Sequence, residues 1–241
     1  MRLRRQLLAL LASVALLAIL VPSASAAGPG PGPSPKWTLY YYSGDNGPFT
    51  MPAKPKGGSI ATFAFDLAPN QALLMSSDRE YLKKGNLFGN TVTATLAIKA
   101  PKGTTFVGYD TDCATLPTVR FYFHTTNTAL GESAYWWSNP VSISLAALFA
   151  SGPHGATLSV SMDPANWSDR AGGFGDVDGA HLAAFQASAS SVTEIGLSFG
   201  SGCTFAFGDG SNPAGAVFNL VKFSTQPAHH GGGGPHGGGP K

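Results

Sequence analysis

Three stretches of the chain alternate apolar and small polar side chains at every second residue. They cover residues 91–98, 157–162 and 194–199, with apolar series that begin at Val92, Leu158 and Ile195. Successive side chains of a β-strand point to opposite faces, so this alternation is typical of strands that bury one face only. The pattern predicts an all-β fold.

Six further segments have the composition of short strands. They cover residues 37–42, 59–67, 104–109, 118–124, 203–207 and 216–223. Gly, Pro, Asn and Asp clusters at 43–48 and 208–213 predict turns between them. One short helix is predicted over 180–188, with Asp178 as its N-cap. We therefore expect an antiparallel β-sandwich of the jelly-roll type with one short helix.

The two ends of the chain differ in composition from the middle. Residues 1–26 predict a signal peptide: Arg2, Arg4 and Arg5 precede an apolar run, and Ala24 and Ala26 suit signal peptidase. Residues 27–36 form a Gly/Pro linker, residues 37–223 the sandwich domain, and residues 224–241 a Gly/His-rich tail expected to be disordered. The sequence thus predicts a secreted, extracellular protein.

The charge of the chain argues against an anionic partner. The 15 Lys and Arg exceed the 13 Asp and Glu, but three of the arginines lie in the predicted signal peptide. Without them no basic patch remains, so we expect no nucleic-acid partner and no membrane insertion after signal cleavage.

Two cysteines, Cys113 and Cys203, are expected to form one disulfide in an oxidising compartment. It would close a loop of about 90 residues and stabilise the fold by roughly 4 kcal/mol.

A group of aromatic and basic residues predicts a ligand-binding surface. Flat rings stack on the C–H face of a sugar while nearby polar groups bind its hydroxyls. Arg120, Tyr122 and His124 share one face of a predicted strand. The candidate ligand-binding residues are Arg120, Tyr122, Trp136, Trp137 and Trp167. The alternative is that the tryptophans are core and that Arg120 pairs with a carboxylate.

Catalytic and metal-binding patterns are incomplete. Residues 196–200 match the G-x-S-x-G nucleophile elbow, but Ser198 falls inside an alternating strand rather than at a strand-to-helix turn. Asp176 and Asp178 are candidate calcium ligands without the twelve-residue calcium pattern, and ordinary turn roles explain them as well. We expect no cofactor, with a structural calcium ion left open.

The closing segment, Thr193 to Cys203 followed by Phe205, Gly208 and residues 217–220, resembles the last strands of bacterial extracellular jelly-roll domains of the galactose-binding type. Upstream segments around Leu87, Val119, Tyr135 and Trp167 are similar too. The resemblance implies glycan recognition through loops and one sheet face, sometimes with structural calcium.

Three functions remain open from the sequence. The leading hypothesis is a non-catalytic binding module for an extracellular glycan or polysaccharide. The second is a secreted jelly-roll hydrolase or lyase that uses Glu132 or Glu194, because glycoside cleavage needs two carboxyl groups. The third is a structural cell-surface protein without a small ligand.

Overall fold

The computed structural model describes residues 36–43, 46–67, 71–82, 86–108, 116–201 and 208–227. The predicted signal peptide, Cys113 and Cys203, the strand at 203–207 and residues 228–241 lie outside the described residues. Within the described residues, every strand pair is antiparallel. The antiparallel β-sandwich is therefore confirmed, whereas the jelly-roll connection remains a prediction.

The larger sheet has eight strands. They are β1 (Thr38–Ser43), β2 (Asn46–Pro52), β4 (Gln71–Ser76), β7 (Pro117–His124), β8 (Tyr135–Ser138), β9 (Ile143–Ser144), β11 (Trp167–Asp169) and β12 (Glu194–Ser201). Their spatial order is β11-β8-β7-β12-β4-β1-β2, and β9 pairs with β7 off this path.

The remaining strands form two smaller sheets. The four-stranded sheet has the order β10-β5-β14-β3, in which the strands are β3 (Ala61–Ala64), β5 (Asn90–Lys99), β10 (Ala156–Ser161) and β14 (Val217–Pro227). A two-stranded sheet pairs β6 (Thr105–Gly108) with β13 (Asp209–Asn212).

Three short α-helices and three 3-10 segments join the described strands. The α-helices are α1 (Arg79–Leu82), α2 (Leu145–Ala150) and α3 (Gly179–Ala189), and the 3-10 segments are Thr128–Ala134, Gly152–His154 and Pro164–Asn166. The predicted helix is α3, and its N-cap is Asp178, whose carboxylate accepts a hydrogen bond from the His181 backbone N–H. None of these helices is long and apolar enough to cross a membrane.

The core lies between the larger and the four-stranded sheet. The rings of Phe199 in β12 and Phe218 in β14 are 4.8 Å apart, edge to face. Phe121 in β7 contacts Phe223 in β14, with ring centroids 5.9 Å apart. Apolar residues that alternate along β5, β7 and β12, together with Phe218, Leu220 and Phe223 of β14, belong to this core. The sheets are therefore held together by the burial of the apolar faces that the alternation predicted.

The structure corrects three boundaries of the sequence analysis. Residues 46–48, expected in a turn, begin β2. Residues 209–212, expected in a turn, form β13. The last strand does not end at Phe223 but runs to Pro227, and Thr225 is buried, with its hydroxyl donating to the Tyr81 carbonyl. The folded domain therefore includes residues 224–227, which the sequence assigned to the tail.

Candidate functional site

The larger sheet presents different side chains on its two faces. Along β7, Val119, Phe121 and Phe123 belong to the core between the sheets, whereas Tyr122 belongs to a separate apolar cluster. The pairing with adjacent strands extends both faces across the sheet. Tyr122, for example, lies opposite Trp137 in β8, so the two side chains share one face. The second face is therefore a distinct surface, and it carries the polar and aromatic residues of the sheet.

Trp136 and Trp167 are core residues, a placement that argues against their predicted role in ligand binding. Both are fully buried. The indole N–H of Trp136 donates to the Ser133 carbonyl at 2.7 Å, and that of Trp167 donates to the Ser161 carbonyl at 2.9 Å. Buried indoles with satisfied N–H groups have no face left for a sugar.

Tyr122 and Trp137 lie on the second face but are also buried. Their side chains are 4% and 3% exposed, and their ring centroids are 4.9 Å apart. The indole N–H of Trp137 donates to the Ser198 hydroxyl at 3.2 Å. Together with Met75 they form the base of this surface, against which Tyr40, Leu73 and Tyr135 pack half-buried. A ligand on this surface would therefore meet Tyr40 and Tyr135 before it met Tyr122 or Trp137.

The G-x-S-x-G match is part of this base. Ser198 lies in the middle of β12, is 1% exposed and accepts the hydrogen bond of Trp137. Its neighbour Gly196 lies so close to β4 that a Cβ atom would be 1.9 Å from the Leu74 carbonyl oxygen. Gly196 and Ser198 therefore have structural roles in the sheet, and residues 196–200 do not have the strand-turn-helix geometry of a nucleophile elbow.

Glu194 is the centre of a polar group on the same face. One carboxylate oxygen accepts a hydrogen bond from the Tyr40 hydroxyl at 3.0 Å, and the other lies 2.8 Å from His124 Nε2. The hydrogen bond with His124 lowers the pKa of Glu194, against the opposing effect of burial. Glu194 and His124 side chains are 23% and 21% exposed, so solvent still reaches them.

A second aromatic and charged group extends this surface across β8. The ring of Tyr135 lies 5.9 Å from the ring of His124, and the Arg170 guanidinium lies 6.0 Å from the Tyr135 ring centroid. Arg170 also pairs with Glu132 at 3.2 Å, and both side chains are half exposed or more. We call Tyr40, Tyr122, Tyr135, Trp137, His124 and Glu194 the outer aromatic face.

Arg120 differs from its prediction as well. It is 3% exposed, and its Nη2 atom has no hydrogen-bond partner among the described residues. Burial lowers the pKa of Arg120 to about 10, while the charge of Asp209 acts in the opposite direction. Arg120 is therefore a buried cation with an acidic neighbour, as the alternative interpretation expected, although no described carboxylate forms an ion pair with it within 4 Å.

The calcium candidates do not converge on a site. Asp178 caps α3, and the same carboxylate oxygen that accepts from the His181 backbone also lies 2.9 Å from His181 Nδ1. These hydrogen bonds lower the pKa of Asp178. In the part of the chain that the structure describes, no group of three or more His, Cys, Asp or Glu side chains could hold a metal ion.

The fold and this face define an antiparallel β-sandwich with an aromatic, partly accessible outer sheet surface. Comparison of the chain with models of protein families, with curated proteins and with solved structures found no match in any of the three.

Proposed function

We propose that this protein is a secreted binding module that recognises a carbohydrate through its outer aromatic face. The observation that carries the proposal is the hydrogen-bonded group Tyr40–Glu194–His124 beside the ring of Tyr135. A half-exposed ring offers an apolar surface to the C–H face of a sugar, and a carboxylate with an imidazole fixes its hydroxyl groups.

The electrostatics of the face favour binding over catalysis. A glycosidase needs one carboxylic acid that stays protonated until it protonates the leaving group. Glu194 has a lowered pKa and two hydrogen-bonding neighbours, so it is an ionised acceptor rather than such an acid. Glu132 is engaged in an ion pair with Arg170. Neither carboxyl group offers the environment that the hydrolase alternative requires of its acid.

Adjacent tyrosines of β1 provide a matched test. Tyr40→Phe removes only the hydroxyl that donates to Glu194, whereas Tyr41→Phe removes a hydroxyl on the opposite face of the same strand. We expect Tyr40→Phe and Tyr135→Ala each to weaken glycan binding tenfold or more, where tenfold corresponds to about 1.4 kcal/mol of binding free energy. Tyr41→Phe should leave glycan binding unchanged. The measurement is pull-down on a panel of insoluble polysaccharides with a glycan array, followed by titration of the best ligand.

The same mixtures should be assayed for released sugar. Binding without release supports the module. Release that is lost in Glu194→Gln would replace the module with the hydrolase or lyase alternative. Equal loss of binding in Tyr40→Phe and Tyr41→Phe would place the ligand elsewhere, and no binding by folded protein would favour a structural role at the cell surface.

A further inference from the structure

A cavity of about 300 Å³ lies on the other face of the larger sheet, where β1 and β2 meet β3. Most of its described lining is apolar: Leu39, Tyr41, Met51, Pro52, Ala53, Phe63, Ala64, Phe65 and Ala72. A non-hydrogen atom of a ligand occupies about as much volume as a water molecule, roughly 30 Å³, so the cavity holds on the order of ten such atoms. The cavity therefore has the size and the apolar lining of a small-ligand site.

Two carboxyl groups, Asp66 and Asp209, also line the cavity, and the described lining includes no Lys, Arg or His. Asp209 is 3% exposed, and neither of its carboxyl oxygens has a described partner with full hydrogen-bond geometry, although the backbone N–H of Gly200 lowers its pKa. A buried polar group without a partner lowers the stability of the folded protein. A ligand that donates hydrogen bonds to Asp209 would offset this cost.

The nearest described counter-charge does not satisfy Asp209. The guanidinium of Arg120 acts on it electrostatically but forms no ion pair with it within 4 Å. Burial raises the pKa of Asp209 well above its ordinary value, although Arg120 and the backbone N–H of Gly200 act against that rise. The described surroundings therefore compensate the charge of this carboxyl group poorly.

The rings around the cavity suit a positive charge. Phe63 and Phe65 lie edge to face with centroids 5.0 Å apart, and Tyr41 lines the same space. Aromatic faces attract cations, and apolar walls accept the alkyl part of an amphiphilic ligand. An anionic ligand would instead find no positively charged group in the described lining.

We propose that this cavity binds a small organic ammonium ion, with its charged nitrogen at Asp209 and its apolar chain along Leu39, Tyr41 and Phe63. The site is separate from the outer aromatic face, because Tyr40 and Tyr41 point to opposite sides of β1. The ligand class is defined by one positive nitrogen on an apolar chain that fits the cavity.

The test is calorimetric titration of the purified folded protein with octylammonium, using 1-octanol and octanoate as probes of the same length. We expect octylammonium to bind at least tenfold more tightly than 1-octanol, and octanoate not to bind. Asp209→Asn should weaken octylammonium binding at least tenfold, while Asp176→Asn, which changes an exposed aspartate outside the cavity lining, should leave it unchanged.

A second variant keeps the test decisive if Asp209→Asn does not fold. Ala64 lines the cavity but is exposed, so Ala64→Leu narrows the cavity without changing the core, and it should also weaken octylammonium binding. Equal affinity for octylammonium and 1-octanol, or folded Asp209→Asn and Ala64→Leu proteins that bind octylammonium as the wild type does, would overturn the proposal. Glycan binding is expected to be unaffected by either variant, so the two sites are tested independently.

Discussion

Trp136 and Tyr135 are neighbours in β8 with opposite environments. Trp136 is fully buried and packs edge to face on Phe185 of α3, with centroids 5.0 Å apart, whereas Tyr135 is half-buried on the outer aromatic face. The run of aromatic residues does not by itself show which side chain faces the core and which faces the outer surface. The assignment follows only from the register of β8 with β7, in which Phe123 lies opposite Trp136 and His124 opposite Tyr135.

The alternation of β8 leads to a stability prediction. Trp136→Ala should destabilise the protein by about 3–5 kcal/mol, because it removes buried apolar area and leaves a cavity in the core. Tyr135→Ala, the matched change one residue away, should cost about 1 kcal/mol. Urea denaturation of both variants is the measurement. Equal losses of stability in the two variants would show that Trp136 is not a core residue.

Part of the candidate site was predictable at this scale. His124 and Tyr122 were placed on one strand face by alternation alone, whereas Glu194 was named only as a candidate catalytic carboxyl group. Tyr40 and Asp209 were not assigned, because their roles depend on contacts with residues far away in the chain. Tyr40 meets Glu194 across β4, and Asp209 reaches the cavity through β13, which the sequence read as a turn.

Strands whose apolar residues alternate in the sequence were predictable, and the others were not. β5, β7, β10 and β12 follow the period of two, although β7 and β12 are buried on both faces. β4 reads Ala72, Leu73, Leu74, Met75 without alternation, because one of its faces contributes to the core and the other to the cluster of Tyr122 and Trp137. β2 contains Gly and Pro and reads as a turn, yet these residues are tolerated in the edge strand that it forms.

The length of β14 leads to a prediction about truncation. Ending the chain after Phe223 removes the pairs that Ser224–Pro227 make with β5 and the buried hydroxyl of Thr225. The Tyr81 carbonyl would lose that donor, and we expect a destabilisation on the order of 1–3 kcal/mol.

The control is a chain that ends after Pro227. Residues 228–241 are rich in glycine and histidine and have little apolar area to bury, so their removal should leave stability unchanged. Thermal denaturation compares the two truncated chains with the full chain. A loss of stability that appears only in the chain ending after Pro227, or equally in both, would contradict the assignment of 224–227 to the domain.

Glu194 and Asp209 make the stability of the protein depend on pH in opposite directions. The pKa of Glu194 is lowered by His124, so its stabilisation is complete above its ordinary pKa of 4.5 and is lost as pH falls through the lowered value. The pKa of Asp209 is raised above its ordinary 3.8 by burial, so the folded state favours the protonated carboxyl group. The stability that this provides is complete below pH 3.8 and is lost as pH rises through the raised pKa.

Two variants separate these contributions. The stability difference between wild type and Glu194→Gln should grow as pH rises towards 4.5, whereas the difference between wild type and Asp209→Asn should shrink as pH rises above 3.8. Chemical denaturation across this acidic range measures both. Difference curves that slope in the same direction would contradict one of the two assignments, and the variant with the unexpected slope identifies which.

The alternation of β1 makes the two surfaces interdependent. Tyr40 belongs to the outer aromatic face, and Leu39 and Tyr41 belong to the cavity, so three consecutive residues serve both sides of one strand. A single inserted or deleted residue before them would exchange the two sets of side chains. The chain can therefore change either surface by substitution at its own positions, but any change in the length of β1 alters both at once.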